Sequence, residues 1–228
     1  GGHPNVTGHA AWRAVGPMDQ LGDLVPPPTA CVWVGSRRHA VTYRLRGGKL
    51  ANFVGIVEDD TWTSESWTEQ GTKEDALADF KGWHPVVTNM IEKADAHYRW
   101  ALFDRAPLER WSDGRAVLLG DACHPTLPFQ AQGAVMAIED GFLLAKLCSE
   151  TPNDLDAALA IYFDSRQPRT SRVQAASRSN AKLFHKRTPL SRLLAYGPNW
   201  IARQIAPGVL RSRQDPFYAY DVREEPLR

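Results

Sequence analysis

The chain has 228 residues, which is enough for one large domain or for one and a half small ones. Hydrophobic residues make up 43% of the sequence and charged residues 23%, proportions typical of a globular protein with a core. They exclude a disordered chain, a collagen-like fibre and a disulfide-scaffolded miniprotein. The formal net charge of +1 argues against a dedicated nucleic-acid-binding protein, because such proteins usually carry a basic face.

Targeting and redox signals favour a cytoplasmic protein. No stretch approaches the roughly eighteen uncharged apolar residues of a membrane-spanning helix, so we expect no membrane partner. Residues 1–5 have neither the basic nor the apolar region of a signal peptide. The cysteines form no CxxC pair, which favours a reducing compartment, and they are widely spaced: Cys31, Cys123 and Cys148.

The first quarter of the chain is predicted to form a sheet. A short apolar run at 31–35 is followed by an alternating run at 39–46 and a third β-rich run at 49–57. Gly47 and Gly48 separate the last two runs and favour a hairpin, because such turns need positive φ angles. The period of two places four residues on one face, which we expect to be the covered one: His39, Val41, Tyr43 and Leu45.

Further elements follow from the spacing of apolar residues. The pattern predicts two short helices and a strand: helices at 74–80 and 85–93, and a strand at 99–103. Asp154 suits the N-cap of a long helix that reaches Phe184. Pro168 is expected to kink that helix.

The middle of the chain carries a strand, a Gly-Asp turn, a loop, a glycine and a helix. The apolar run 116–119 predicts a strand buried on both faces, and a helix is predicted from about Ala134 to Cys148. Asp121 follows the strand and can accept hydrogen bonds from the hydroxyls of a sugar or sugar alcohol. Gly133 begins the helix, where free N–H groups favour an anionic or electron-rich ligand. The alternative is that Asp121 only caps a turn and Gly133 only permits one.

This central unit contains three ordered motifs: GRAVLLGDACHP at 114–125, LPFQAQGA at 127–134 and IEDG at 138–141. Together they resemble the second flavin-binding motif of the single-component FAD-dependent aromatic hydroxylases, in particular the group of salicylate hydroxylase and 6-hydroxynicotinate 3-monooxygenase. The resemblance also includes TGHAAWR at 7–13, the hairpin, the long helix and YAYD at 218–221, and so covers most of the chain.

The resemblance implies an FAD site. In this family the aspartate of the Gly-Asp motif binds the ribityl chain of FAD, and that role falls on Asp121. The loop that ends at Gly133 and Ala134 would lie against the isoalloxazine ring, and Pro125 and Pro128 would shape the wall where oxygen and substrate meet the ring. The implied cofactor-binding residues are Gly120, Asp121, Ala122, Pro128, Gln132, Gly133 and Ala134.

The resemblance also implies a substrate site on the hairpin. His39 and Tyr43 match a His-x-x-x-Tyr arrangement that several family members use at the substrate. Oxygen transfer in the family is electrophilic, so a phenolic ring reacts best as its phenolate, and a histidine suits the removal of that proton. Tyr43 would orient the ring. The alternative is that both are ordinary half-buried strand residues.

Several other residues are given no chemistry. His124 is expected to be structural, and Cys123 beside it is not expected to be a nucleophile, because catalytic partners are usually brought together by the fold. We expect no metal site. Three arginines at helical spacing are predicted to form a solvated face with local ion pairs: Arg166, Arg169 and Arg172.

The sequence departs from the family in two respects. It contains no G-x-G-x-x-G motif to hold the FAD pyrophosphate, and the family's Asp-Gly motif that precedes the substrate domain is also absent. Either the chain is the C-terminal portion of a longer monooxygenase or it is a truncated homologue. We therefore expect this chain alone to bind FAD weakly or not at all. The run 116–119 would lack strand neighbours, which favours association with a missing N-terminal half or a second copy.

The expected fold is α+β or α/β, with a mixed-sheet substrate domain at 1–105, the C-terminal part of an FAD-binding domain at 106–185 that includes the long helix, and a helical tail at 186–228. The expected function is hydroxylation of an aromatic substrate, a phenolic acid, with FAD as the cofactor and with NAD(P)H and O2. The alternative is a non-catalytic homologue that binds an aromatic ligand or a partner protein.

Overall fold

A computed structural model describes residues 4–59, 61 and 69–225. The chain divides into two compact units. The first, here called the sheet unit, contains Val6–Phe103 and Phe184–Pro189. The second, here called the helical unit, consists mainly of Asp104–Leu183 and Leu190–Arg228. The prediction that the N-terminus is not a signal peptide concerned residues 1–5, of which residues 1–3 lie outside the described residues.

The sheet unit is built on a five-stranded sheet of order β2-β3-β4-β1-β5. The pairs β1/β4, β2/β3 and β3/β4 are antiparallel. The predicted hairpin is confirmed, and Gly47 and Gly48 in its turn both have positive φ angles. The strands are β1 Asn5–Pro17, β2 Cys31–Gly35, β3 Arg38–Leu45, β4 Leu50–Glu58 and β5 Tyr98–Asp104.

Two helices cover one face of this sheet, α1 at Lys73–Asp79 and α2 at Pro85–Lys93. The hydroxyl of Thr72 caps α1 by accepting from the backbone N–H of Asp75, and Pro85 occupies the first turn of α2. The shared core contains aromatic and aliphatic side chains from both layers: Trp12, Phe53, Phe80, Val87, Met90 and Ile91. The rings of Phe53 and Phe80 meet edge-on with centroids 5.3 Å apart.

The alternation predicted for β3 is correct, but the prediction of its covered face is wrong. Ala40 and Thr42 are fully buried, and Ala40 belongs to the core beneath the helices. Of the four residues expected to be covered, only His39 is buried; the others are half-buried: Val41, Tyr43 and Leu45. The helices pack on the face that carries Ala40, so burial in β3 follows the position of the helices and not the size of the strand side chains.

The helical unit begins with a short antiparallel hairpin of β6 Ser112–Asp113 and β7 Ala116–Val117. A strand buried over 116–119 was expected, and this is wrong: the strand is two residues long, and Leu118 and Leu119 are 40% and 43% exposed. Within the part of the chain that the structure describes, β7 has no strand neighbour other than β6, and Val117 packs against the core of the helical unit.

Four helices follow: α3 Gly133–Glu150, α4 Leu155–Phe184, α5 Pro189–Ile205 and α6 Pro207–Tyr218. The predicted cap of α4 is confirmed, because the Asp154 carboxylate accepts from the N–H of Ala157 at 3.0 Å. The helix continues past Pro168 as one element of 30 residues. Among the described residues, none of these helices is both long and apolar enough to cross a bilayer.

We predict that Gly55→Ala destabilises the sheet unit by about 1–3 kcal/mol, because overpacking forces core rings to move. A Cβ at Gly55 would lie 2.5 Å from a ring carbon of Phe80 and 2.6 Å from one of Phe53. Urea unfolding would measure the loss. The matched control is Gly141→Ala in α3, where a Cβ meets nothing within 4 Å and should be neutral or stabilising by up to about 1 kcal/mol. Equal effects of the two changes would contradict the prediction.

Candidate functional site

The Gly-Asp motif forms a 3-10 turn at Gly120–Ala122, directly after the short hairpin. Gly120 has a φ of 61°, and its carbonyl accepts from the N–H groups of Cys123 and His124 at 3.1 and 3.0 Å. A Cβ at this position would lie 3.0 Å from the Cβ of Ala137 in α3. Glycine is therefore required both by the backbone conformation and by the close approach of the helix.

Asp121 is exposed beside the amino end of α3. Its Oδ1 atom lies 3.8 Å from the place that a Cβ on Gly133 would occupy. The first turn of α3 is open, because Gln132 precedes it without a side-chain cap and the first N–H to bond within the helix is that of Met136. The preceding N–H groups of this turn have no acceptor within the helix. The structure thus brings a carboxylate acceptor together with backbone donors at the positive end of a helix dipole.

Gln132 adds a buried hydrogen-bond acceptor next to the first turn of α3. Its side chain is 4% exposed, and its Oε1 atom has no hydrogen-bond partner within the described ranges. A buried amide oxygen without a donor costs free energy unless a ligand or water supplies one. Pro128 begins the 3-10 turn Pro128–Gln130 before it, and Ala122 and Ala134 are exposed. All seven predicted cofactor residues therefore lie in the Gly-Asp turn or in the loop and first turn of α3.

Polar side chains of α4 hold the loop before α3 in place. Three of them, spaced three residues apart, donate to carbonyls of alternate loop residues: Gln174 to Pro125 at 2.9 Å, Ser177 to Leu127 at 2.6 Å and Asn180 to Phe129 at 3.1 Å. The Tyr218 hydroxyl donates to the carbonyl of Gln130 at 2.8 Å. The shape of the loop is thus fixed by bonds to its main chain.

A buried ionic network joins the Gly-Asp turn to the helices. One carboxylate oxygen of Asp140 accepts from the N–H of Gly120 at 2.9 Å and from Nε2 of His124 at 2.6 Å, and the other accepts from Nε of Arg166 at 2.8 Å. Burial alone would raise the pKa of Asp140, but the hydrogen bonds from His124, Arg166 and Gly120 outweigh it and lower the pKa. The expected structural role of His124 agrees with this geometry.

Glu139 extends the network to a second arginine. It accepts from Nη2 of Arg166 at 2.7 Å and from Nε and Nη2 of Arg169 at 2.8 and 2.7 Å, and Arg169 stacks on the ring of Tyr220 at 3.8 Å. The prediction of a solvated arginine face is wrong for two of its three members. Arg166 and Arg169 are 0% and 4% exposed because they pair with α3, and only Arg172 is exposed.

Cys123 lies beside this network but is not prepared as a nucleophile. Burial, together with the negative charge of Asp140, raises the pKa of its thiol to about 12. The ligand atoms of Cys123, His124 and Asp140 lie within 4.8 Å of one another. A cation there would have to displace the Arg166 and His124 hydrogen bonds that already occupy the Asp140 carboxylate.

His39 and Tyr43 project from the face of β3 that α1 and α2 do not cover. Tyr43 is half-buried, and its backbone lies opposite Asn52 in β4. His39 is buried, with Nδ1 2.7 Å from Nε2 of His185 and its ring 5.1 Å from that of Phe184. Burial, and then the nearby His185, lower the pKa of His39 to about 3. His39 is therefore neutral at physiological pH.

His185 was not identified from the sequence, because 146 residues separate it from His39 and no motif joins the two. Burial, followed by the neighbouring His9, lowers the pKa of His185 to about 4. Its Nδ1 lies 3.5 Å from Oε1 of Glu58. The ring of His9 is 5.1 Å from that of His185, so three histidines and one carboxylate form a cluster in the sheet unit. We call it the histidine cluster.

We predict that Asp140→Asn destabilises the protein by about 3–5 kcal/mol, because it removes one of the two carboxylates that pair with the buried Arg166. Denaturant unfolding would measure the loss. The control is Asp113→Asn, in an ion pair with Arg110 whose side chains are 85% and 73% exposed, where the change should stay within about 0.5 kcal/mol. Similar stabilities for the two variants would contradict a structural role for the network.

We also predict that acid destabilises the sheet unit through the histidine cluster. The pKa values of His39 and His185 are about 3 and about 4 in the folded protein, against 6.5 for an unperturbed histidine. The unfolded chain therefore binds more protons than the folded one below about pH 6.5, and stability falls as the pH falls. Urea unfolding at pH 7 and pH 5 should differ by about 3–4 kcal/mol for the pair, because each histidine contributes about 1.9 kcal/mol over this range. A His39→Gln/His185→Gln double variant should lose this difference, and a variant that keeps it would contradict the assignment.

Comparison with known proteins identifies the family. A profile of the FAD binding domain family matches residues 11–177. A 3-hydroxybenzoate 6-hydroxylase of Klebsiella oxytoca is 38% identical over 186 residues, which are 81% of this chain and 46% of that protein. A 6-hydroxynicotinate 3-monooxygenase of Bordetella bronchiseptica is 39% identical over 189 residues, 82% of this chain and 49% of that protein. The chain spans about half the length of these curated relatives.

A solved structure supports the same relationship. Salicylate hydroxylase in a substrate complex matches 99% of this chain and 57% of its own, with a TM-score of 0.74 and 27% identity. The resemblance found in the sequence and the mixed α and β fold class are thereby confirmed. Since the family profile covers well over half of its residues, the chain belongs to the FAD binding domain family.

Proposed function

We propose that this chain supplies the substrate-binding part and the C-terminal flavin-binding part of an FAD-dependent monooxygenase that hydroxylates a phenolic acid with NAD(P)H and O2. The observation that carries the proposal is the Asp121 carboxylate next to the open first turn of α3, at Gly133. The names of the relatives, a hydroxybenzoate hydroxylase and a hydroxynicotinate monooxygenase, support the substrate class.

The hydrogen-bond donors and acceptors around Asp121 and the first turn of α3 fit a flavin. A ribityl chain offers hydroxyl donors, which suit the exposed carboxylate of Asp121. The pyrimidine edge of the ring offers carbonyl acceptors and one N–H donor, which suit the N–H groups of Gly133 and Ala134 and the buried, unpartnered Oε1 of Gln132. Gly120, Ala122 and Pro128 would complete the contact surface. The chemistry that FAD supplies when bound is two-electron transfer from NAD(P)H and activation of O2.

The chain itself contributes a helix dipole and a rigid loop to this flavin site. The amino end of α3 favours the negative charge that the ring carries when reduced. The α4 side chains that bond the loop carbonyls keep Pro128 and Gln132 in position, so the donors need no rearrangement when a ligand arrives. Preorganised dipoles of this kind stabilise developing charge better than mobile ones.

In the sheet unit, His39 would accept the proton of the substrate phenol and Tyr43 would orient the ring through its hydroxyl. Removal of the proton makes the ring electron-rich, as electrophilic oxygen transfer requires. The low pKa of His39 keeps its imidazole neutral, which is the form that can accept a proton. The same low pKa means that the proton cannot remain there, so it has to move on.

The remaining parts of the proposal concern organisation. Residues 1–105 would bind substrate, 106–185 would bind flavin and 186–228 would form a helical tail. No G-x-G-x-x-G motif is present in the sequence, so the FAD pyrophosphate would be held by residues outside it or by another chain. Exposed apolar side chains on α3 and after β7 would suit such a partner: Leu118, Leu119, Val135, Ile138 and Phe142. The unpaired cysteines agree with a reducing, cytoplasmic location.

Riboflavin tests the proposal sharply, because it has the ring and ribityl chain but neither the phosphates nor the adenine. We predict that the chain quenches riboflavin fluorescence on binding and that Asp121→Ala weakens binding about 10- to 100-fold, the effect of losing hydrogen bonds to a charged group. The control is Glu150→Ala, an exposed acid at the far end of α3, which should bind like the unmodified chain. Equal affinity of the Asp121→Ala variant, at riboflavin concentrations that saturate the unmodified chain, would contradict the proposal.

A further inference from the structure

The histidine cluster connects a buried base to a carboxylate near solvent. His9 lies on β1, His39 on β3, Glu58 at the end of β4, and His185 in the segment Phe184–Pro189 that belongs to the same unit. His39 and His185 are 1% and 6% exposed, whereas the side chain of Glu58 is 16% exposed. The three groups therefore form a series from the interior towards the surface.

The distances between nitrogen and oxygen atoms show which atoms of these three side chains face one another. Nδ1 of His39 is 2.7 Å from Nε2 of His185, and Nδ1 of His185 is 3.5 Å from Oε1 of Glu58. A neutral imidazole carries its proton on one nitrogen and accepts on the other. If His39 donates from Nδ1, His185 accepts at Nε2 and carries its own proton on Nδ1, towards Glu58. One bridging water or a small rotation of the carboxylate closes the last gap.

Burial, and then the charges around the cluster, disfavour a proton on either ring. His9 and Arg38 face His185 and disfavour its protonated form, and Glu58 partly opposes them. Arg37 and Arg187 both bond to Glu58, and together they outweigh the effect of burial and lower its pKa. Each group can pass a proton on, but none holds one near neutral pH. A path for proton transfer requires this property, whereas a group that stores a proton would have to stay protonated.

We propose that His39, His185 and Glu58 form a relay that carries the phenol proton of the substrate from the sheet to solvent. The inference rests on the proposed function, in which His39 receives that proton. It adds two residues to the reaction, His185 as the second carrier and Glu58 as the exit group.

The transfer balances without any further reactant. The phenol O–H bond breaks and an N–H bond forms at Nε2 of His39, while the proton on Nδ1 of His39 moves to Nε2 of His185. The proton on Nδ1 of His185 moves to Glu58 and then to water. The substrate becomes a phenolate, both rings stay neutral with exchanged tautomers, and one proton enters solvent. Reprotonation of the product oxygen runs the same steps backwards and restores both tautomers.

The test measures how fast bound phenolate appears, using 3-hydroxybenzoate as the probe and stopped-flow absorbance of the full chain near pH 7. We expect His185→Ala to slow phenolate formation about 100-fold, within the usual range for the loss of a proton-transfer group. Added imidazole should restore the rate in His185→Ala, because it can enter the space and carry the proton. His185→Gln, which keeps a polar side chain without two exchangeable nitrogens, should remain slow and respond less to imidazole.

The control is Phe184→Leu, which changes the packing against His39 but removes no titratable group, and which should keep the normal rate. A His185→Ala variant that forms phenolate at the normal rate, in a protein where His39→Gln abolishes it, would overturn the relay and leave the proposed function intact. Probe bound only as the neutral phenol by the unmodified chain would instead overturn the proposed role of His39.

A second measurement addresses the relay without any substrate. Nitrogen-15 NMR of histidine side chains detects a coupling across an N–H···N hydrogen bond. We expect such a coupling between Nδ1 of His39 and Nε2 of His185, with His185 protonated on Nδ1. The opposite tautomer of His185, or no coupling, would overturn the proposed path.

Discussion

The arrangement of the helical unit depends on one carboxylate, that of Asp140. It lies in the second turn of α3, is fully buried, and receives hydrogen bonds from the Gly-Asp turn, from His124 and from α4. A buried charge is tolerated only when such partners surround it. The turn, the helix that starts beside it and the helix that supports the loop therefore have one relative position that satisfies the charge. The placement of Asp121 next to the first turn of α3 follows from this constraint.

Within its described residues, the sheet unit is stabilised by an apolar core and not by a buried ionic network. Its core is apolar and depends on close approach of two helices to small strand residues, whereas its other face carries polar side chains at the level of His39 and Tyr43. His39 and His185 are stable there because burial keeps both rings neutral and because they bond to each other. One unit thus holds permanent charge in an ionic network, and the other holds neutral imidazoles that can accept and donate protons.

Local elements could be predicted from the sequence, whereas long-range pairing could not. Helix α2 begins at Pro85 and ends at Lys93 as predicted, since a proline at the first turn and a short apolar stripe are local signals. The seven residues of the Gly-Asp motif and its loop come together, because they are near in sequence. The burial of Arg166 could not be read from α4, since its partners Glu139 and Asp140 lie 27 and 26 residues away. The role of His185 could not be predicted for the same reason, since its partner His39 lies 146 residues away.

Three bonds from α4 to the loop at 125–130 end on main-chain carbonyls, and a fourth, from Asn180, ends on the side chain of Gln130. The backbone of the loop is therefore specified by residues that lie outside it. Side chains at the half-buried loop positions 125, 126 and 128 can change in size and polarity while the path of the chain stays the same, whereas Leu127, Phe129 and Gln130 are buried. A protein built in this way can acquire a new ligand preference by substitutions in the loop alone, without a compensating change in the scaffold. Separation of the residues that set shape from those that set chemistry makes such a site adaptable over evolution.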